Sequence, residues 1–170
     1  MKQLLNFFSP AGLVFLFTIL ILTSCEKQDA LTPQPEPVVT DFYISFQQDT
    51  IPVKLSITSG RRETINQLLT TAIDGKLPDS ISNKTSLVIR VTGDSARTYT
   101  GAQILASYTD SSGNTYSNTA TDTINVVKLT KLEKKRDGNI EGSFTIRVSN
   151  FTKTKTLILA NGKIYSVFDE

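Results

Sequence analysis

The chain has 170 residues, 18 Lys and Arg against 16 Asp and Glu, and a formal net charge of +2. That length allows one modest domain plus targeting and linker segments, and near-neutrality gives no global electrostatic reason to expect nucleic acid as a partner. With no His or Trp and a single Cys, the sequence excludes Cys–His and Ser–His nucleophilic sites, zinc sites built on Cys or His, and any disulfide within one chain.

The opening segment reads as a secretion signal. Lys2, Leu4–Leu5 and Phe7–Phe8 precede a Ser9–Pro10 break and an apolar run from Ala11 to Leu22, the basic tip and short apolar stretch that export machinery recognises. The alternative is an uncleaved transmembrane helix over residues 4–22, nearly long enough to span a bilayer but interrupted by Asn6, Ser9 and Pro10. Leu22-Thr23-Ser24-Cys25 resembles the lipobox read by lipoprotein signal peptidase. The resemblance implies cleavage after Ser24, removal of residues 1–24, and a diacylglyceryl group on the Cys25 sulfur. Acyl chains held at about 0.8 kcal/mol per buried methylene would anchor Cys25 to a membrane.

Residues 25–40 carry Thr32-Pro33-Gln34-Pro35-Glu36-Pro37 and no apolar periodicity, the composition of an extended tether reaching about 45 Å. Glu26 and Asp29 close behind Cys25 partly resemble the surface-export signal of Bacteroidota lipoproteins. That resemblance implies an outer-membrane anchor with the cell surface favoured; the periplasmic face is the alternative.

Residues 41–170 read as a single β-rich domain. Phe42, Ile44 and Phe46, then Ile51, Val53, Leu55 and Ile57, alternate with polar residues about a Gln48-Asp49 turn, which predicts an antiparallel hairpin. A helix is expected over about 60–74, because Ile65, Leu68, Leu69, Ala72 and Ile73 fall at i, i+3, i+4, i+7 and i+8. Ser59 would be its N-cap and Asp74-Gly75 its stop. Strands are then predicted at 87–91, 103–109, 115–117, 123–130, 140–149, 156–159 and 164–168. Turn residues separate them, at Gly93-Asp94, Ser111-Ser112-Gly113-Asn114, Asp137-Gly138-Asn139 and Asn161-Gly162. The expected fold is mainly β, an antiparallel β-sandwich or partly open barrel with one short packed α-helix. A domain of about 130 residues buries roughly two-thirds of its unfolded surface, so it needs no disulfide.

The segments Ile140-Glu141-Gly142-Ser143-Phe144 and Thr156-Leu157-Ile158-Leu159-Ala160-Asn161-Gly162-Lys163-Ile164 resemble the closing hairpin of small Bacteroidota outer-membrane lipoproteins of uncharacterised function. In that family a Gly-x-Phe strand pairs with a later strand carrying an Asn-Gly turn. Residues 42–57 lack the family's opening Phe-x-Ala strand and Asp-Gly turn. The resemblance implies a fold and no activity.

Four tripeptides, Asp49-Thr50-Ile51, Asp79-Ser80-Ile81, Asp94-Ser95-Ala96 and Asp122-Thr123-Ile124, resemble the Bacteroidota O-glycosylation sequence. They make Thr50, Ser80, Ser95 and Thr123 candidate acceptors; the plainer reading is Asp at turns and caps. Asp110-Ser111-Ser112-Gly113-Asn114 has a calcium-loop flavour but one charge and no downstream Glu, so a hairpin turn is expected. Lys128, Lys131, Lys134, Lys135 and Arg136 form a basic cluster along the chain, to be weighed as an anion patch against a solvated strand end. Tyr43, Tyr99, Tyr108, Tyr116 and Tyr165 are candidates for a sugar platform or for cross-strand pairs. Together these features predict a membrane-anchored, non-catalytic surface module with no cofactor, binding a glycan or a protein partner and no nucleic acid. A carboxylate-dependent glycoside hydrolase and a periplasm-facing envelope component are the alternatives.

Overall fold

Period-two alternation dominates the chain beyond the tether, and strands follow from it. The structure, a computed structural model, describes residues 41–78 and 83–169. The signal, Ser24, Cys25, the tether and Ser80 therefore lie outside the described residues. The strands are β1 (Tyr43–Gln48), β2 (Ile51–Leu55), β3 (Ile57–Ile65), β4 (Leu68–Lys76), β5 (Ser86–Thr92), β6 (Thr98–Thr100), β7 (Ile104–Thr109), β8 (Thr115–Asn118), β9 (Val126–Leu132), β10 (Gly138–Ser149) and β11 (Thr156–Phe168). The domain is mainly β, as its composition implies, and its helical content among the described residues is one 3-10 turn at Gly101–Gln103.

The helix expected over about 60–74 does not form; the β3–β4 hairpin occupies that segment. Asn66 and Gln67 have φ of 51° and 66°, the double positive φ of a type I′ two-residue turn. They bring Ile65 opposite Leu68. The apolar spacing that matched a helical face is split by that turn. Leu68 and Leu69 end 56% and 43% exposed, whereas Ala72 and Ile73 are fully buried. Ser59 is no cap, since it pairs with Asp74 in mid-ladder. Gly75 is no stop either. A Cβ there would lie 2.8 Å from Ile44 Cδ1 and 3.0 Å from Leu55 Cδ1, so glycine lets the side chains of β1 and β2 close onto the backbone of β4.

All the strands join one sheet in the order β2-β1-β11-β3-β4-β5-β7-β8-β10-β9-β6, with β10 also paired to β11. Two runs can be traced in it, β2-β1-β11-β10-β9-β6 and β3-β4-β5-β7-β8. They are joined by short ladders, Phe168↔Gly60 between β11 and β3 and Ser149↔Ser117 and Val148↔Asn118 between β10 and β8. The core collects side chains from both runs, Ile44, Phe46, Phe144, Ile146 and Ile164 meeting Ile73, Leu87, Ile89, Ile104 and Tyr108. The Phe46 and Tyr108 rings meet edge to face at 5.7 Å, which adds about 1 kcal/mol beyond area burial.

Asn161-Gly162 is not a hairpin turn. It lies inside the continuous strand β11, where Phe144 pairs with Gly162 but Ile146 pairs with Leu159. One extra residue is therefore held in β11 as a β-bulge, with Asn161 at φ 53°. The pairing that the closing-hairpin resemblance implies is present, but the Asn-Gly element bends a strand instead of ending it. A Cβ on Gly162 would sit 2.5 Å from the Phe144 ring, so that ring covers the glycine directly.

Gly162→Ala should therefore destabilise the domain by about 1–3 kcal/mol through overpacking against Phe144. The expected readout is a lower urea midpoint with an unchanged slope. Phe144→Leu in the same chain should recover part of the loss; a Gly162→Ala chain as stable as wild type would contradict this packing.

Candidate functional site

The outward face of β2-β1-β11-β10-β9 holds the site. Register places Tyr43 opposite Tyr165, Tyr165 opposite Glu141, and Glu141 opposite Lys131. The two Tyr rings are half-buried, 5.0 Å apart and tilted by 49°. The Lys54 ammonium lies 4.6 Å from the Tyr43 ring centroid, a cation–π contact. Beside this pair runs a groove of about 310 Å³ lined by Ser45, Phe46, Gln47, Pro52, Val53, Lys54 and Asn161. Asn161 Nδ2 donates to Gln47 Oε1 at 2.8 Å, which fixes both amides on the groove wall. Aromatic faces beside hydroxyl, amide and ammonium groups suit a ligand with both apolar C–H faces and many hydroxyls.

At the far side of the row, Lys131 Nζ lies 3.5 Å from both Glu133 and Glu141. Glu133 is held below the ordinary carboxyl range, first by the Asn139 backbone N–H and then by Lys131 and Lys135. Lys134 pairs with Asp94 at 3.1 Å. The basic cluster seen along the chain is thus divided, with Lys131 and Lys134 compensated by carboxylates.

The other three tyrosines are buried and contribute no platform. Tyr99 donates to the Ser95 carbonyl at 2.7 Å, Tyr116 to Asp110 Oδ2 at 3.1 Å, and Tyr108 to Gln48 Oε1 at 2.6 Å. Asp110 also accepts the backbone N–H groups of Ser112 and Asn114 and the Asn114 amide. Burial raises its pKa, but those bonds outweigh burial and hold it below the ordinary range. Its oxygens are saturated within a hairpin turn, and among the described residues no three His, Cys, Asp or Glu gather as a metal site requires.

A second groove of about 310 Å³ opens over β3-β4-β5, lined by Ile57, Ser59, Asp74, Lys76, Ser86 and Val88, among others. Its lining carboxylate, Asp74, is tied through Oδ2 to an ion-pair network beside the groove. Arg61 bridges Asp74 and Glu63, and Arg90 reaches Glu63 at 3.0 Å. Arg90, then Arg61, hold Glu63 below its ordinary pKa against the opposing effect of burial.

Of the candidate acceptors, Thr50, Ser95 and Thr123 are exposed in turns or loops. The preceding aspartates are engaged. Asp49 accepts the Ile158 N–H, Asp94 pairs with Lys134, and Asp122 accepts the Ile124 N–H and Arg147. Ser80 lies outside the described residues. Sequence reasoning missed Lys54, Ser45, Gln47 and Asn161, because they converge only when β1 lies between β2 and β11.

Fold and site together define a mainly β domain with an outward face of aromatic and amide side chains. Residues 70–168 match a family described as a domain of unknown function, DUF6252, and the chain belongs to that family. The match runs from β4 to β11, so it includes Tyr165, Glu141 and Lys131 but not Tyr43 or Lys54. No curated protein and no solved structure matches the chain.

The Tyr108 phenol pKa is pushed up to about 12, first by burial and then by Asp110 and Tyr116. An unfolded Tyr titrates at about 10, so the folded state holds this proton more tightly. Its contribution to stability is full below about pH 10 and is lost as pH rises through about 12. Tyr108→Phe should cost about 1 kcal/mol at neutral pH by leaving Gln48 without its donor. It should also make the alkaline decline in unfolding free energy shallower; an identical decline in both proteins would show that Tyr108 is not its source.

Proposed function

We propose that this chain is a membrane-anchored, non-catalytic surface lipoprotein whose β-domain binds a glycan. The observation that carries the reading is the outward Tyr43–Tyr165 pair beside a groove walled by Ser45, Gln47, Lys54 and Asn161. Tyrosine rings stack on the apolar faces of sugars, while fixed amides and hydroxyls select the hydroxyl pattern. The architecture suits such a role as an antiparallel β-sandwich, with the run β2-β1-β11-β10-β9-β6 packed on β3-β4-β5-β7-β8 through the shared core. One face of the first run is then free for a ligand.

The lipobox-like Leu22-Thr23-Ser24-Cys25 supports processing after Ser24 and lipidation at Cys25, with the Pro-rich residues 25–40 as the tether and an outer-membrane address facing the cell surface. Support for a non-catalytic role comes from the carboxylates. Glu63, Asp110 and Glu133 are all shifted downward, the reverse of the raised pKa that a glycosidase general acid needs. Exposure of Thr50, Ser95 and Thr123 favours O-glycosylation at those positions.

Tyr165→Ala in the mature lipoprotein, held in detergent, should weaken polysaccharide binding about tenfold, the loss of one stacked ring, with little change in thermal stability. Unchanged binding would overturn this site. Cys25→Ala should move the chain from the membrane to the soluble fraction; unchanged partition would rule out the anchor. An intact mass equal to that of the bare lipopeptide would rule out glycosylation.

A further inference from the structure

The register of the outward face aligns a second row beside the tyrosines. Lys54 on β2 faces Ser45 on β1, and Ser45 faces Lys163 on β11. Lys163 faces Ser143 on β10, Ser143 faces Lys128 on β9, and Lys128 faces Thr98 on β6. The row therefore reads Lys-Ser-Lys-Ser-Lys-Thr across six neighbouring strands. Every member is exposed except Ser45, which is half-buried. Neighbouring strands are about 4.8 Å apart, so successive lysines stand about 10 Å apart with a hydroxyl between each pair.

The row contains no carboxylate. Lys128 and Lys163 make no ion pair among the described residues, and Lys54 rests on the Tyr43 ring. Of the cations outside the row, Arg61, Arg90, Lys131, Lys134 and Arg147 each meet a carboxylate, while Arg97 and Lys155 lie over the Tyr99 and Tyr116 rings. Three ammonium groups aligned in one row, with Glu141 of the adjoining row paired to Lys131, form a ready site for an anionic ligand. The neighbouring row, with Tyr43 and Tyr165, supplies stacking surface along the same axis.

We infer that the ligand of this face is an acidic polysaccharide lying across the strands, its anionic groups on Lys54, Lys163 and Lys128 and its hydroxyls on Ser45, Ser143 and Thr98. This inference rests on the glycan reading above and names the class of glycan. A polysaccharide with one carboxylate per disaccharide repeats at close to two strand spacings. A nucleic-acid strand carries a phosphate on every nucleotide, a denser charge than the row matches, and the chain's net charge of +2 gives little general attraction for it. A membrane surface fits poorly, because no exposed large apolar side chain belongs to the row.

The mature lipoprotein in detergent is titrated with hyaluronan, which has one carboxylate per disaccharide, with neutral dextran, and with single-stranded DNA. Hyaluronan should bind more tightly than dextran, and its advantage should shrink as salt rises past the range where charges are screened. Lys163→Gln with Lys128→Gln should cost about fivefold to tenfold against hyaluronan and leave dextran binding and thermal stability unchanged. Lys135→Gln, a turn lysine outside the row, should leave the binding of both polysaccharides unchanged. Equal, salt-insensitive binding of hyaluronan and dextran would overturn the acidic-ligand inference and leave the glycan reading standing. Binding of neither polysaccharide would overturn both, and DNA bound as tightly as hyaluronan would overturn the assignment to a polysaccharide.

Discussion

The arrangement of the domain depends on a single phase reversal in β11. Leu157 and Leu159 face the core in the first part of the strand; Gly162, Ile164, Ser166 and Phe168 face it in the second. A two-residue repeat cannot change phase by itself, and without an inserted residue one half of these side chains would point outward. The bulge at Ala160–Asn161 supplies that residue, and Phe144 lies over the glycine that follows. Both neighbours adjust to it, since β1 shifts register between Ser45 and Gln47 against the same residues. With the phase corrected, β11 pairs along one edge with β10 and along the other first with β1 and then, at Phe168, with β3. The bulge also sends Lys163 and Tyr165 outward, so the proposed binding face and the core rest on the same local geometry.

The phase reversal explains what could be read from the residues and what could not. Alternation about Gln48-Asp49 identified β1 and β2, and the alternating segments of β5, β7, β8 and β10 were legible for the same reason. Along β11 the break in alternation and the Asn-Gly pair looked like the end of one strand and the start of another. Only a partner strand running past both halves distinguishes a bulge from a turn. The β3–β4 hairpin failed differently. Ile65, Leu68, Leu69, Ala72 and Ile73 satisfy a helical face, and Gln67 is a weak turn signal despite its positive φ. Tertiary pairing with β5 decided for strands, and the β-branched Thr70 and Thr71 agreed with it.

The site was less legible than the fold, for a topological reason. Charge clusters read along the chain report neighbours in sequence, whereas on a sheet the neighbours are set by register. Lys128, Lys131 and Lys134 stood out together in sequence, yet Lys131 and Lys134 are compensated by Glu133, Glu141 and Asp94 while Lys128 faces Ser143 in another row. Lys54, Lys163 and Lys128 come from three distant segments and align only because β1 separates β2 from β11 and β10 separates β11 from β9. The tyrosines divide by the same logic. Tyr43 and Tyr165 sit at outward positions of a pair, and Tyr99, Tyr108 and Tyr116 at inward ones, where their hydroxyls reach Ser95, Gln48 and Asp110.

Stability and the proposed binding consequently draw on different physics in this domain. Its ion pairs are partly exposed, and such pairs contribute roughly 0–1 kcal/mol each, so the apolar core shared by the two strand runs carries most of the fold. The outward lysine row can remain uncompensated because like charges about 10 Å apart are screened at physiological ionic strength. Each contact it makes with a polysaccharide would be weak for the same reason. On the proposed reading the lipid at Cys25 resolves this. Many copies held in one membrane plane, each on a tether reaching about 45 Å, would engage one long polymer together, and a second contact then forms at high effective concentration. A weak, salt-sensitive, extended face is therefore an adequate recognition element for an anchored domain, and would be a poor one for the same domain released into solution.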